Sequence, residues 1–132
     1  MKNRILSTTF FLVILVLTNS CGQENKKIQV VKPAKFEAML KSDPNLVLLD
    51  VRTPEEYAGG AIANSINIDF YAEDFSDKIA KLDKDKTYLV YCRSGNRSNK
   101  TAVMLSEKGV KNVFDLDGGT QAWKEAGFPL KK

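Results

Sequence analysis

The sequence predicts an α/β fold, a three-layer sandwich in which helices cover both faces of a mainly parallel sheet. Three observations carry this. Strand-like apolar runs at 28–31, 46–51, 66–68, 88–92 and 113–116 alternate with stretches of helical spacing at 33–41, 54–58, 72–82, 97–108 and 120–126. Such alternation is the signature of crossover units around a parallel sheet. Two of the runs, 46–51 and 88–92, are almost continuously apolar, as central strands buried on both faces require. The length, 132 residues, suits one core rather than two.

In chain order, residues 1–21 stand apart from this fold. Lys2 and Arg4 precede an apolar stretch from Phe10 to Leu17. That stretch is shorter than the roughly 20 residues a bilayer span needs, so it reads as a signal peptide. It ends in L-T-N-S-C-G, which resembles a bacterial lipoprotein signal with Cys21 as the lipidated residue. An uncleaved anchor helix would place the domain on the same side of the membrane. The expected location is therefore extracytoplasmic, in the periplasm or cell envelope, with a lipid anchor as the membrane contact. Residues 22–27 (G-Q-E-N-K-K) read as a polar tether, and 28–132 as the domain.

Within the domain, Pro33 and Pro54 stand where helices start, since the first helical position has no N–H to lose. Gly109 and Gly127 follow two later helices as stops. In a parallel α/β sheet the ligand site lies beyond the carboxyl ends of the strands. Cys92 ends one of the two central runs.

Composition limits the chemistry. There are two cysteines and no histidine, which excludes Ser-His-Asp and Cys-His pairs and a zinc site of four thiolates. No metal and no cofactor are expected. The chain carries 20 basic and 16 acidic residues; without the leader these become 18 and 16, a formal +2. With no Lys/Arg run, nucleic-acid binding is not expected. If Cys21 carries lipid, Cys92 is the one free thiol and no internal disulfide can form. A monomer is expected.

The segment Y-L-V-Y-C-R-S-G-N-R-S carries the chemistry. A buried strand ends at Cys92 and a helix begins at Arg97 or Ser98. The backbone N–H groups of a short glycine-containing turn, with the helix N-terminus, form an anion cradle. Its members are Arg93, Ser94, Gly95, Asn96, Arg97 and Ser98. Between Lys86 and Ser106 lie four basic residues (Lys86, Arg93, Arg97, Lys100) and no acidic one. Three of them crowd a helix N-terminus, where the macrodipole disfavours cations, so stability alone does not account for them. A free thiol titrates near 8.5, and a helix terminus worth up to about 2 kcal/mol displaces that by at most about 1.5 units. With backbone donors and two arginines added, a large thiolate fraction at neutral pH needs no histidine.

The loop C-R-S-G-N-R-S resembles the active-site loop of the single-domain rhodaneses, a sulfurtransferase family. L-L-D-V-R-T-P-E-E-Y (Leu48 to Tyr57) is similar to the family's first signature and V-F-D-L-D-G-G-T-Q-A-W-K-E-A-G-F-P (Val113 to Pro129) to its C-terminal one. The three motifs come in family order, and the resemblance extends over about residues 28 to 130. Where the family reads G-H-I-x-G-A-x-N-I, this chain has Gly60 to Ile68 as G-A-I-A-N-S-I-N-I, with Ala61 for histidine, Asn64 for glycine and Ser65 for alanine.

The resemblance implies a rhodanese-like sandwich and a double displacement. Cys92 takes the sulfane sulfur of an anionic donor, thiosulfate or a persulfide, and passes it as a persulfide to cyanide or to a thiol such as that of a thioredoxin-like protein. Arg93 and Arg97 attract the donor. Asp50 and Arg52, at the pocket end of a central strand, are expected to form structural ion pairs, with Glu55 or Glu56 as partners. Trp123 is expected in the core, and Gly118-Gly119 in a tight turn. A phosphatase of the same fold needs arginine six positions after the cysteine; here that position is Ser98. The absence of C-x-x-C disfavours a thioredoxin-type oxidoreductase. A persulfide carrier without turnover, or a binding or sensing module, is the alternative.

Overall fold

The computed structural model describes residues 28–132, so the leader, Cys21 and the tether lie outside the described residues. Five strands form one sheet: β1 (Gln29–Val31), β2 (Val47–Asp50), β3 (Ile66–Asn67), β4 (Thr87–Tyr91) and β5 (Asn112–Leu116). Their spatial order is β1-β5-β4-β2-β3, and every neighbouring pair is parallel. The connecting helices are α1 (Pro33–Ser42), α2 (Pro54–Ala58), α3 (Phe75–Ala80), α4 (Asn96–Glu107) and α5 (Gly119–Glu125). Each expected element is present. The largest difference is at α3, which starts at Phe75 because the preceding residues form a turn. There Asp69 Oδ1 accepts the Tyr71 N–H at 3.0 Å and the Asp69 carbonyl accepts the Ala72 N–H at 3.1 Å.

Side chains alternate across the sheet and divide the core in two. Leu49, Val51, Tyr88, Val90 and Val113 meet Phe75 and Ile79 of α3 and Ala102 and Leu105 of α4. Leu48, Leu89, Tyr91 and Leu116 meet Phe36 of α1 and Trp123 of α5. Trp123 stacks edge-on to Phe36 with ring centroids 6.1 Å apart and donates Nε1–H to the Pro129 carbonyl at 3.1 Å. Burying such side chains contributes about 1.5–3 kcal/mol each, so both layers hold the sheet rigid.

This topology places the site. β3 follows β2 in the chain and pairs with one of its edges, while β4 pairs with the other. The crevice beyond the carboxyl ends of β2 and β4 is therefore the topological switch point. Asp50 stands opposite Tyr91 in the register, so Arg52 and Cys92 emerge together at that crevice.

Candidate active site

Cys92 is the first residue after β4, buried to 1% exposure, and its Sγ accepts the Gly95 N–H at 3.1 Å. Gly95 reaches back to the sulfur because its φ is +98°, a region L side chains rarely enter. Helix α4 then begins at Asn96, a residue earlier than the spacing suggests. The N–H groups of Arg93, Ser94, Asn96, Arg97 and Ser98 find no protein acceptor among the described residues, and the helical ladder starts only with Asn99 N–H to Gly95 O at 3.1 Å. An unclaimed run of backbone donors at a helix N-terminus is a site for negative charge. The Ser98 side chain is fully buried and donates to the Gly95 carbonyl at 3.2 Å, so its hydroxyl braces the turn.

The carbonyls of the same loop are tied to α5. Thr120 N–H donates to Cys92 O at 2.9 Å and Gln121 N–H to Arg93 O at 3.1 Å. Gly118 and Gly119, at φ +73° and +58°, bring α5 this close. A Cβ on Gly119 would overlap the Cys92 carbonyl oxygen and stand 2.6 Å from that of Arg93. The Gly-Gly pair is thus a tight turn with a second task, the close approach of two backbones. Adjacent glycines just ahead of a helix were its signal in the sequence.

The two loop arginines differ. Arg97 forms a bidentate pair with Glu56, Nη1 donating to Oε2 at 2.7 Å and Nη2 to Oε1 at 2.9 Å. Glu56 belongs to the capping box of α2: its Oε2 accepts the Thr53 N–H at 3.0 Å and its own N–H donates to Thr53 Oγ1 at 3.3 Å. The Arg97 hydrogen bonds, against some opposition from burial, hold the Glu56 carboxyl down at about 2. Arg93 is exposed and makes no ion pair among the described residues. With Glu55, Gln121 and Lys124 it lines an open cleft of about 330 Å³ beside the loop.

Asp50 and Arg52 do pair, but with each other. Arg52 Nη2 donates to Asp50 Oδ2 at 2.6 Å and to the Gly60 carbonyl at 2.8 Å, and Nε spans both carboxylate oxygens at 3.0 Å. Glu55 and Glu56, the partners expected from the sequence, are not theirs, because α2 turns the Glu56 carboxylate to Arg97. Burial opposes the Arg52 charge, and Asp50 outweighs that and raises its pKa. The guanidinium lies 5.6 Å over the Tyr91 ring.

The segment that departs from the rhodanese pattern packs without its histidine and glycine. Ala61 exchanges two backbone hydrogen bonds of 2.8 Å with Lys131. Asn64 holds φ +66°, and asparagine is the residue that best replaces glycine there. Ser65 donates to Ile62 O at 2.8 Å and accepts the Tyr91 hydroxyl at 3.0 Å. One further polar group, which no motif marks, lies buried beside the loop. Asp115 of β5 is 2% exposed beneath the first turn of α4, with Oδ2 accepting from Asn99 Nδ2 at 3.2 Å and Oδ1 unpartnered. Burial pushes its carboxyl above the usual range, and the polar side chains of that turn offset this only in part.

A parallel α/β sandwich that delivers one thiol into a loop of backbone donors at its switch point defines a cysteine-loop domain of the rhodanese type. The chain belongs to that family: the profile described as "Rhodanese-like domain" matches residues 32–126. Its relatives include a protein named sulfurtransferase from Allochromatium vinosum, 32% identical over 91 residues that cover 69% of this chain and 83% of that one. The thiosulfate sulfurtransferase GlpE of Pseudomonas savastanoi is 33% identical over 99 residues, covering 75% and 89%. Other relatives are named tRNA uridine(34) hydroxylase, and the chain spans about a third of their length. Among solved structures, a rhodanese-related protein from Thermoplasma volcanium superposes with a TM-score of 0.68 at 37% identity, covering 78% of this chain and 97% of that one.

Proposed function

We propose that the protein is a thiosulfate sulfurtransferase in which Cys92 is nucleophile and persulfide carrier. The observation that carries this is the Gly95 N–H donated to Sγ at 3.1 Å inside a loop of unclaimed N–H groups. Such donors stabilise a thiolate before reaction and a persulfide anion after it. The Cys92 thiolate attacks the outer sulfur of thiosulfate. A new S–S bond forms, the old one breaks, and sulfite leaves with the bonding pair. A thiolate or cyanide then attacks the outer sulfur of the persulfide, leaving as a new persulfide or thiocyanate and returning the Cys92 thiolate. No net oxidation occurs and no metal or cofactor enters. Arg93 meets the donor anion at the mouth.

The membership in a family with sulfurtransferase members supports this reading. Thiocyanate production from thiosulfate and cyanide by the full chain, abolished by Cys92→Ser, is the expected result. Equal rates in the two would contradict it. The near-complete burial of the thiol favours one second reading, a carrier loaded and unloaded by a fitted partner such as a thioredoxin-like protein. That reading expects a stable sulfur adduct with little turnover on small acceptors. We also propose that the protein works as a monomer outside the cytoplasm, lipid-anchored at Cys21. The charge and apolar pattern of residues 1–21 supports the anchor, and unchanged membrane fractionation of Cys21→Ala would contradict it.

A further inference from the structure

Arg97 is enclosed on two sides. Glu56 takes both of its terminal nitrogens, and the Tyr71 ring lies 5.5 Å from its central carbon. Glu56 is held on its other side as well, where the capping box keeps Oε2 on the Thr53 N–H at 3.0 Å. That cap is complete without Arg97, so helix α2 has no need of an arginine 41 residues further along the chain. The pairing serves the loop. An arginine held bidentately by a carboxylate keeps its shape and loses most of its field.

We propose that Glu56 is the charge-setting positioning residue of the thiol loop: it turns Arg97 into a neutralised strut and leaves Arg93 as the loop's one unpaired cation for an incoming anionic sulfur donor. This rests on Cys92 being the reacting thiol. The other charges around it are accounted for. Asp50 is spent on Arg52, and Asp115 lies under α4 bound to Asn99. Lys100 is exposed on α4, while Arg52, Glu55, Glu56, Arg93 and Lys124 are the charged residues that line the neighbouring cleft. Burial keeps the Tyr91 phenol neutral. Quenching Arg97 has a chemical use. A second full positive charge would favour the thiolate and hold a dianion more tightly, but a more acidic thiol is a weaker nucleophile, with a Brønsted coefficient of about 0.4–0.5. Glu56 thus trades donor affinity for reactivity.

The test is Glu56→Gln in the full chain carrying Cys21→Ala, so that Cys92 is the one thiol. The amide still accepts the Thr53 N–H and lacks the charge. The pH midpoint of Cys92 alkylation by iodoacetamide is expected to fall by about half a unit or more, roughly threefold more thiolate at fixed pH. KM for thiosulfate is expected to fall, and attack by each Cys92 thiolate on bound thiosulfate to slow, since a more acidic thiol is the weaker nucleophile. Arg97→Met is expected to raise the midpoint, because it leaves the Glu56 carboxylate uncompensated, and the double variant to return it near the parent value, because both charges of the pair are then gone. A midpoint that is unmoved or raised in Glu56→Gln would overturn the proposal, as would a double variant whose midpoint stays below that of the parent. Alkylation needs no turnover, so a failed sulfurtransferase assay leaves this test standing.

Discussion

Gly119 stands directly behind Cys92. Its missing Cβ would overlap the Cys92 carbonyl oxygen, and the two residues after it bind the carbonyls of Cys92 and Arg93 at 2.9 and 3.1 Å. The acceptors of the thiol loop are thereby taken up by α5, and its donors are left to the site. Gly119→Ala adds overpacking to a left-handed backbone and is expected to cost about 2–5 kcal/mol. Urea denaturation measures it. A loss under about 1 kcal/mol would mean that α5 can part from the loop without harm.

Gly95 separates strain from clash. A Cβ there would sit 3.5 Å from the Gly118 nitrogen, an ordinary contact, but φ is +98°. Gly95→Ala is expected to lose about 1–2 kcal/mol and remain folded. Sulfur transfer is expected to fall further, by about tenfold or more, because the Gly95 N–H moves off Sγ. Retained activity with reduced stability would dissociate that donor from the chemistry.

Asp115 gives a pH dependence with a definite sign. Its folded pKa is raised, so the unfolded chain gives up this proton more readily. Stability therefore declines as pH rises from the ordinary carboxylate value through the raised one, and the loss persists at neutrality. Asp115→Asn is expected to stabilise the fold at pH 7 by up to about 1 kcal/mol. The gain should disappear below pH of about 3.5, where both forms are neutral. Denaturation midpoints at the two pH values check this; an equal effect at both would remove the charge from the explanation.

Asn64 tests the left-handed position directly. At φ +66°, Asn64→Gly is expected to stay within about 0.5 kcal/mol of the parent and Asn64→Val to lose about 1–2 kcal/mol. Thermal melts would show the order. Equal melting temperatures would mean that the turn around Asn64 relaxes.

The strand, loop and helix that present Cys92 were legible because their signals are local: an apolar run, one glycine, a helix start and a stretch free of acids. What was not legible reaches the loop from far along the chain. Glu56 meets Arg97 across 41 residues, Thr120 meets Arg93 across 27 and Asn99 meets Asp115 across 16. No periodicity encodes contacts of that kind. Glu55 and Glu56 lie close in sequence to Arg52 at the same strand end, which suggests either as its partner, whereas the capping box with Thr53 and the pairing with Arg97 aim the Glu56 carboxylate the other way. Arg93 and Arg97 looked alike as loop cations, and only the fold distinguishes a paired arginine from a free one. Asp115 did leave a trace, a charged residue inside the apolar run Val113 to Leu116, which is how a buried polar group reads in a strand.

In the proposed reaction Cys92 receives a sulfur atom and holds it in the loop. Intact mass measurement of the full Cys21→Ala chain after thiosulfate treatment tests it most directly. A gain of one sulfur atom is expected, removed by cyanide and abolished in Cys92→Ser. An unchanged mass, or an adduct that survives in Cys92→Ser, would contradict it.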